Sequence, residues 1–321
     1  MGARATVLGA SGYSGGEVCR ILARHPSLAL VAAAAARFAG QPLAALQPHL
    51  AGVVEAELLS VQEAAAAEAE VCFSCLPAGV LPSLLDALGA SVVVDLSDEH
   101  RAAPGWVYGL TEHARAELSG ARRIANPGCY PTAALLVLVP LVRAGLIEGP
   151  VVIDALSGTS GAGRAGEDRL LFSGLHGSAA AYGTTAHRHV PEIEAQLAAA
   201  GLDTVVSFTP HLVPMGRGVL VTARARPTCT LTDDDVRATL AAAYEGEPFV
   251  YVVDDWPQTK AVAGSNRALV SARVDTRAGW VVCSAALDNL GKGAAGQAVQ
   301  NANLALGFDE SAGLEAVGLW P

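Results

Sequence analysis

The first third of the chain alternates short apolar runs with stretches of helical periodicity. Residues 5–9 (Ala-Thr-Val-Leu-Gly) predict a buried parallel strand, and the segment from Gly16 to Arg24 places Val18, Ile21 and Leu22 at helical spacing. Further apolar runs at Leu28–Ala34, Val71–Leu76 and Val92–Leu96, with a helical stretch at Val80–Leu88, continue the alternation. Strand and helix in turn is the pattern of a doubly wound parallel sheet. After Pro127 the texture changes. A long apolar helix over Tyr130–Ala144 leads to strand-like runs at Val151–Leu156, Thr204–Pro210, Val219–Arg224, Ala268–Val274 and Gly279–Ala285, which predict a second, mixed sheet. The final stretch, Gly291–Leu306, is rich in small residues suited to close packing and is expected to return to the first domain. The expected division is 1–127, an α/β dinucleotide-type domain; 128–288, a catalytic and substrate domain; and 289–321, the returning helix.

Composition narrows the function classes. At 321 residues the chain can bury two cores. Its apolar stretches are broken by charge, Gly or Pro before the roughly 20 residues that a spanning helix needs, and its N-terminus lacks the basic-then-apolar form of a secretory signal; a soluble, cytoplasmic protein is expected. A formal charge of −10 and the absence of a Lys/Arg run argue against nucleic acid and membrane surfaces as partners. Six cysteines are too few and too scattered for a disulfide framework and are read as reduced thiols.

Three motifs carry chemistry. Gly9-Ala10-Ser11-Gly12-Tyr13-Ser14-Gly15 is a G-x-x-G-x-x-G turn between a predicted strand and a predicted helix, where backbone N–H groups and a helix start can approach a pyrophosphate; Gly9, Ser11, Gly12, Tyr13, Ser14 and Gly15 are the candidate contacts. The end of the second strand offers no acid for a ribose hydroxyl but does offer Arg37, which favours the 2′-phosphate of NADP(H) over NAD. Ser74, Leu76 and Pro77, at the end of the third apolar run, are further candidate cofactor contacts. In the second motif, Asn126-Pro127-Gly128-Cys129-Tyr130-Pro131-Thr132, Cys129 stands at the mouth of an apolar helix, where the macrodipole and unsatisfied N–H groups favour a thiolate. The third, His187-Arg188-His189 ahead of Pro191, supplies candidate bases for that thiol. His211 is a second choice, and His25, His49, His100 and His113 are read as surface residues. Cys19, Cys229 and Cys283 are read as core residues, and Cys72-x-x-Cys75 as a strand ending, not a metal or redox site; no metal is expected. Arg164, Arg188 and Arg217, near Gly, Ser and His in polar segments, are candidate anion contacts. The polar, glycine-rich stretches 157–166 and 173–189 are too long for hairpin turns, which points to function there.

Together GASGYSGGE, NPGCYPTAA, SGTSGAGR, HRHVPEI, FTPHLVPMGRG, AVAGSN and DNLGKGAAGQAVQNANLALG resemble the N-acetyl-gamma-glutamyl-phosphate reductase family of arginine biosynthesis, from about residue 5 to the C-terminus. The resemblance implies a Rossmann domain with an inserted α+β substrate and dimerisation domain similar to aspartate-semialdehyde dehydrogenase, NADPH as donor, a homo-oligomer, and an acyl phosphate reduced through a thioester. It places the nucleophile at Cys129 and the acid/base at His187, with His189 as the alternative. It brings Asn126 into the substrate site beside the three arginines, Ser157 to an anion and, with Gly158, to the cofactor, and Asn289 to the nicotinamide end. The segment Asp95–Arg101 departs from the family in carrying His100 where an aromatic is usual, and in a shorter run before Tyr108-Gly109. Two other readings stay open: the homologous reductase acting on an aminoadipyl phosphate, one methylene longer, and a non-catalytic NADP sensor. Aspartate-semialdehyde dehydrogenase itself does not share the HRHVPEI block.

Overall fold

The computed structural model describes residues 2–164 and 166–320. The chain folds as two compact units, Met1–Pro127 with Ala294–Glu315, and Gly128–Gly293 with Ala316–Pro321. The stretch 289–321 is thus shared: 294–315 belongs with the first unit, while 289–293 and 316–320 belong with the second.

The first unit holds six strands: β1 (Ala3–Leu8), β2 (Leu28–Ala34), β3 (Ala69–Ser74), β4 (Ala90–Asp95), β5 (Val107–Tyr108) and β6 (Arg123–Ala125). They form one parallel sheet in the order β2-β1-β3-β4-β6-β5. The C-terminal halves of β1 to β4 are buried at successive residues, without alternation, because both faces are covered there. Leu8, Ala32, Ala34, Cys72 and Val93 pack with Val61 and Ala64 of α2 (Val61–Ala66) and with Leu81 and Leu84. The intervening Val7, Ala33, Phe73 and Val94 are as deeply buried, and α1 (Tyr13–Leu22), α3 (Thr111–Leu118) and α7 (Gly296–Ala305) pack against one another and against the sheet. The expected helix at Val80–Leu88 is a 3₁₀ segment, Leu81–Ala87, with Pro82 in its first turn. The expected helix Gly291–Leu306 opens on a π-turn, Gly291–Ala295, before α7.

Two histidines read from sequence as surface residues are buried in this unit. His25 Nδ1 accepts the N–H groups of Ser27 (3.1 Å) and Leu28 (2.8 Å), and its Nε2 lies 3.0 Å from Asn303 Oδ1 on α7. Burial lowers its pKa. His100 Nδ1 lies 2.6 Å from the fully buried Asp95 Oδ2, with its ring stacked on Trp106 at 3.9 Å. Neither pairing leaves a periodic trace along the chain, which is why the runs around these histidines look like loop.

The second unit is a seven-stranded mixed sheet built from β7 (Ile147–Ser157), β8 (Ala180–Ala181), β9 (Val206–Leu212), β10 (Val219–Pro227), β11 (Val250–Val252), β12 (Ala268–Asp275) and β13 (Trp280–Leu287). Its order is β11-β12-β13-β10-β7-β9-β8, with β7/β9 and β11/β12 parallel and the remaining pairs antiparallel. Helix α4 (Cys129–Arg143) lies against β10, β13, β12 and β7, between α5 (Val190–Ala200) and α6 (Asp233–Ala243). Tyr130 to Val142 are all buried, so the helix is apolar all round. Pro131 sits in its first turn, where no intrahelical donor is lost. Cys229, expected in the core, is exposed just after β10; Cys19, Cys72 and Cys283 are buried, and burial pushes their thiols up to about 12, 11 and 12. No helix among the described residues is long and apolar enough to cross a membrane.

Candidate active site

In the first unit the glycine turn is closed from behind and open in front. Gly9 has φ +89°, and a Cβ there would stand 2.5 Å from the Cys75 carbonyl oxygen; a Cβ on Gly15 would overlap the Gly9 carbonyl. At Gly12 the nearest atom to such a Cβ would be 3.5 Å away, so the turn's outer side is clear. Gly9 and Ala10 N–H both donate to Ala34 O (3.0 and 2.8 Å), which fastens the turn to the end of β2, three residues before the exposed Arg37. Gln47, buried, donates through Nε2 to Ala10 O (3.0 Å) and Gly12 O (2.9 Å). Helix α1, which the turn opens, has no side-chain cap and no acid in its first turn, so its first amides are available to an anion. Ser74, at the end of β3, is fully buried, and its hydroxyl finds no hydrogen-bond partner among the described residues; Leu76 and Pro77 follow it. An uncapped helix start, a clear glycine cradle and an orphan hydroxyl fit a bound dinucleotide phosphate. Sequence reading missed Gln47; its signal is only a glutamine ahead of a proline.

Asn126, also in the first unit, is tied on every polar atom. Its N–H donates to Asp95 O (2.8 Å), its carbonyl accepts from Arg101 Nε (3.0 Å), its Nδ2 donates to Ala294 O (3.2 Å), and its Oδ1 accepts from Asn301 Nδ2 (3.2 Å). Asn301 in turn accepts from Thr111 Oγ1 (2.7 Å) and donates to Gly109 O (2.8 Å). The Asp95–Arg101 segment that departs from the family pattern thus braces the peptide leading into the cysteine motif.

In the second unit Cys129 is the first residue of α4, half-exposed, after the uncapped Gly128. The π-turn backs it: a Cβ on Gly293 would lie 2.8 Å from Cys129 Cβ. Gly128 N–H donates to Glu192 Oε1 (2.9 Å), joining the cysteine turn to the first turn of α5. Glu192 was not singled out in the sequence, although it closes the His187-Arg188-His189-Val190-Pro191-Glu192 run.

Around Tyr130 the aromatic and imidazole rings gather. Tyr130 Oη lies 3.0 Å from Tyr182 Oη and is hydrogen-bonded to Ser157, and its ring meets His187, His189 and Phe208 at 5.7, 5.8 and 5.2 Å between centroids. Burial first, then Tyr182 and the Cys129 sulfur, raise the Tyr130 pKa, so its hydroxyl stays protonated. Burial, and after it Cys129, likewise raises the Tyr182 pKa, so the sulfur is within electrostatic reach of both phenols. His187 and His189 rings are 4.8 Å apart, and His189 N–H donates to His187 Nδ1 (3.2 Å), so the neutral His187 ring carries its hydrogen on Nε2. Burial, then the charge of Arg188, lowers the His187 pKa to about 4. His189 is buried, Arg188 exposed.

The other predicted residues are dispersed within this unit. Asn289 Oδ1 accepts Gly218 N–H (2.7 Å) and its Nδ2 donates to Ser160 Oγ (2.9 Å), bracing the turn that Ser157 and Gly158 open. Arg217 pairs with the fully buried Asp288 at 3.3 Å, while Arg164 is exposed. His211 Nδ1 lies 3.3 Å from Ala155 O within the sheet, outside the imidazole cluster. Among the described residues no group of three or more His, Cys, Asp or Glu could hold a metal ion.

A parallel-sheet unit with a clear glycine cradle, and a mixed-sheet unit with a cysteine at a helix start, define the semialdehyde dehydrogenase class. The family model for the semialdehyde dehydrogenase NAD binding domain matches residues 4–121, and that for the semialdehyde dehydrogenase dimerisation domain matches 129–289. Solved structures agree on the fold: aspartate semialdehyde dehydrogenase II from Vibrio cholerae (TM-score 0.75, 18% identity, 95% of this chain and 98% of that one) and aspartate semialdehyde dehydrogenase with NADP from Candida albicans (TM-score 0.67, 18% identity, 95% and 98%). Among curated relatives, the N-acetyl-gamma-glutamyl-phosphate reductases of Acidothermus cellulolyticus (49% identical, 100% of both chains), Mycobacterium avium (46%, 99% of both) and Streptomyces coelicolor (44%, 100% of both) align end to end. The chain belongs to the N-acetyl-gamma-glutamyl-phosphate reductase family.

Proposed function

We propose that this chain reduces N-acetyl-L-glutamyl 5-phosphate to N-acetyl-L-glutamate 5-semialdehyde with release of phosphate, in arginine biosynthesis in the cytoplasm, as a homo-oligomer using NADP(H). The observation that carries the reading is Cys129 at the uncapped start of the buried α4, backed by Gly293 and within electrostatic reach of Tyr130 and Tyr182, which border the two histidines. A helix start favours the thiolate, and its N–H groups can later meet an oxyanion.

The Cys129 thiolate attacks the acyl carbon, the C–O bond to phosphate breaks, and a thioester remains on Sγ. NADPH would be held by the turn Gly9–Gly15, by Ser74 and, at its 2′-phosphate, by Arg37, and would supply the hydride that reduces the thioester carbon. The resulting thiohemiacetal oxyanion collapses by breaking the C–S bond, returning the thiolate and releasing the aldehyde. His187 serves as donor in both tetrahedral stages. A ring that stays neutral down to about pH 4 is a weak base for a thiol, but its Nε2–H can be offered to the oxygen as charge builds. His189 is then the candidate for taking the thiol proton. Arg188 and Arg164 are the substrate's anion contacts; Arg217, already paired with Asp288, acts by holding Asp288 and the turns it binds.

The test is the reverse reaction, followed by NADPH absorbance with the semialdehyde, NADP and phosphate. Turnover that requires phosphate supports acyl-phosphate chemistry. Turnover only with the aminoadipate semialdehyde moves the substrate one methylene longer, and no turnover with either contradicts the reading.

A further inference from the structure

We propose that the second unit carries a site for a small organic cation, a guanidinium or ammonium group on an apolar stem, at the β11 edge of its sheet, on residues unconnected with the cysteine cluster. A cavity of about 400 Å³ opens there. Its lining includes the apolar Val253 and Leu269, two tryptophans, Trp256 and Trp320, and two aspartates, Asp254 and Asp255. Both indoles are turned to solvent, 50% and 66% exposed, although an indole is among the side chains most stabilised by burial. The lining is held in place. The segment bearing Trp320 runs along residues 261–263, with Leu319 N–H donating to Ala263 O (3.0 Å) and Gly318 packed so tightly on the Ala261 carbonyl that no Cβ would fit. Asp254 is held by Arg273, which donates to its carbonyl, and by Arg237, which pairs with its carboxylate.

The chemistry of the lining selects the ligand. Indole faces attract cations more strongly than any other aromatic side chain does. Asp255 makes no hydrogen bond or ion pair among the described residues, so its carboxylate remains available to a charged head group. The volume falls in the range of small-molecule pockets, and the apolar lining residues suit a short alkyl stem. The net charge of −10 adds a weak long-range preference for cations.

Two of the four tryptophans line the cavity, so emission reports occupancy. The full chain is titrated with butylguanidinium and, in parallel, with butylurea, its uncharged counterpart. The expected result is a saturable change with butylguanidinium only, weakened roughly three- to thirty-fold in Trp256→Leu and in Trp320→Leu, and weakened in Asp255→Asn. Unfolding midpoints of the variants matching the wild type show that the loss is local; Trp320, in the terminal segment, provides the variant least able to disturb the sheet. Equal binding of butylurea, no saturation by about 50 mM, or emission that responds to protein concentration and not to butylguanidinium overturns the proposal, the last in favour of a second copy covering the tryptophans.

Discussion

Gly293→Ala tests how tightly the cysteine is seated. The added methyl carbon would stand 2.8 Å from Cys129 Cβ, 3.1 Å from Leu287 Cδ1 and 3.2 Å from the Asp288 carbonyl oxygen. Carbon atoms in van der Waals contact sit at about 3.5–4.0 Å, so the closest of these must open by roughly 0.7–1.2 Å. Neither neighbour yields cheaply: Asp288 is pinned by Gly264, Leu290 and Gly291 N–H groups, and Leu287 is fully buried in β13. The displacement therefore falls largely on Cys129. Overpacking of this kind costs about 1–3 kcal/mol, which lowers the apparent unfolding midpoint by a few degrees. A misplacement near 1 Å at a reacting atom costs about 10²-fold in rate. Steady-state kinetics with NADPH and the acyl phosphate should show kcat down about 10²-fold with the KM for NADPH little changed, alongside slower alkylation of Cys129. Retention of kcat within about twofold would refute the claim that this contact seats the nucleophile.

Three further outcomes follow from the geometry. Gln47→Leu removes two buried hydrogen bonds to the glycine turn and should raise the KM for NADPH by about 5- to 30-fold with kcat nearly held, measured by initial rates; an unchanged KM would mean the turn keeps its shape unaided. His187→Gln, which keeps an N–H donor, should retain far more turnover than His187→Phe, whose loss is expected at about 10²–10³-fold; equal losses would return His187 to the role of base. In an NMR titration His187 should stay neutral to about pH 4, and Arg188→Gln should move that midpoint part of the way toward 6.5, because burial is the larger cause and persists. The sign for stability follows: His187's contribution is full above pH 6.5 and is lost as pH falls from there through about 4, and the variant should narrow that window.

The elements easiest to read from the sequence were those whose apolar residues run unbroken along the chain. Leu28–Ala34 is β2 residue for residue, although Ala29 and Val31 on this edge strand are exposed, and the apolar run after Pro127 is α4, because a helix covered on all sides needs nothing but apolar residues. Helix α6 went unread despite a capping box in which Thr232 and Asp235 satisfy each other's backbone N–H groups, since its first turn is three consecutive aspartates and only Val236 and Leu240 along it are buried. Long-range polar pairing was illegible: His25 is buried by Asn303 and His100 by Asp95 and Trp106, and a single histidine in a polar segment carries no mark of a partner elsewhere in the chain. The same holds at the candidate site. The cysteine and the His-Arg-His run announce themselves by residue type, whereas Gly293, Gln47 and Glu192 act by position, through close approach or a bond to a backbone atom that only the folded chain brings near.

The proposed reaction runs through a covalent intermediate at Cys129, and intercepting it is the most direct test. The protein is mixed with N-acetyl-L-glutamyl 5-phosphate in the absence of NADPH, quenched in acid, digested and mapped by mass spectrometry, with Cys129→Ala alongside. One acyl group on the peptide containing Cys129, labile to hydroxylamine and absent from the variant, is the predicted result; wild-type protein that turns over normally yet carries no acyl group, or carries it on another residue, would contradict it.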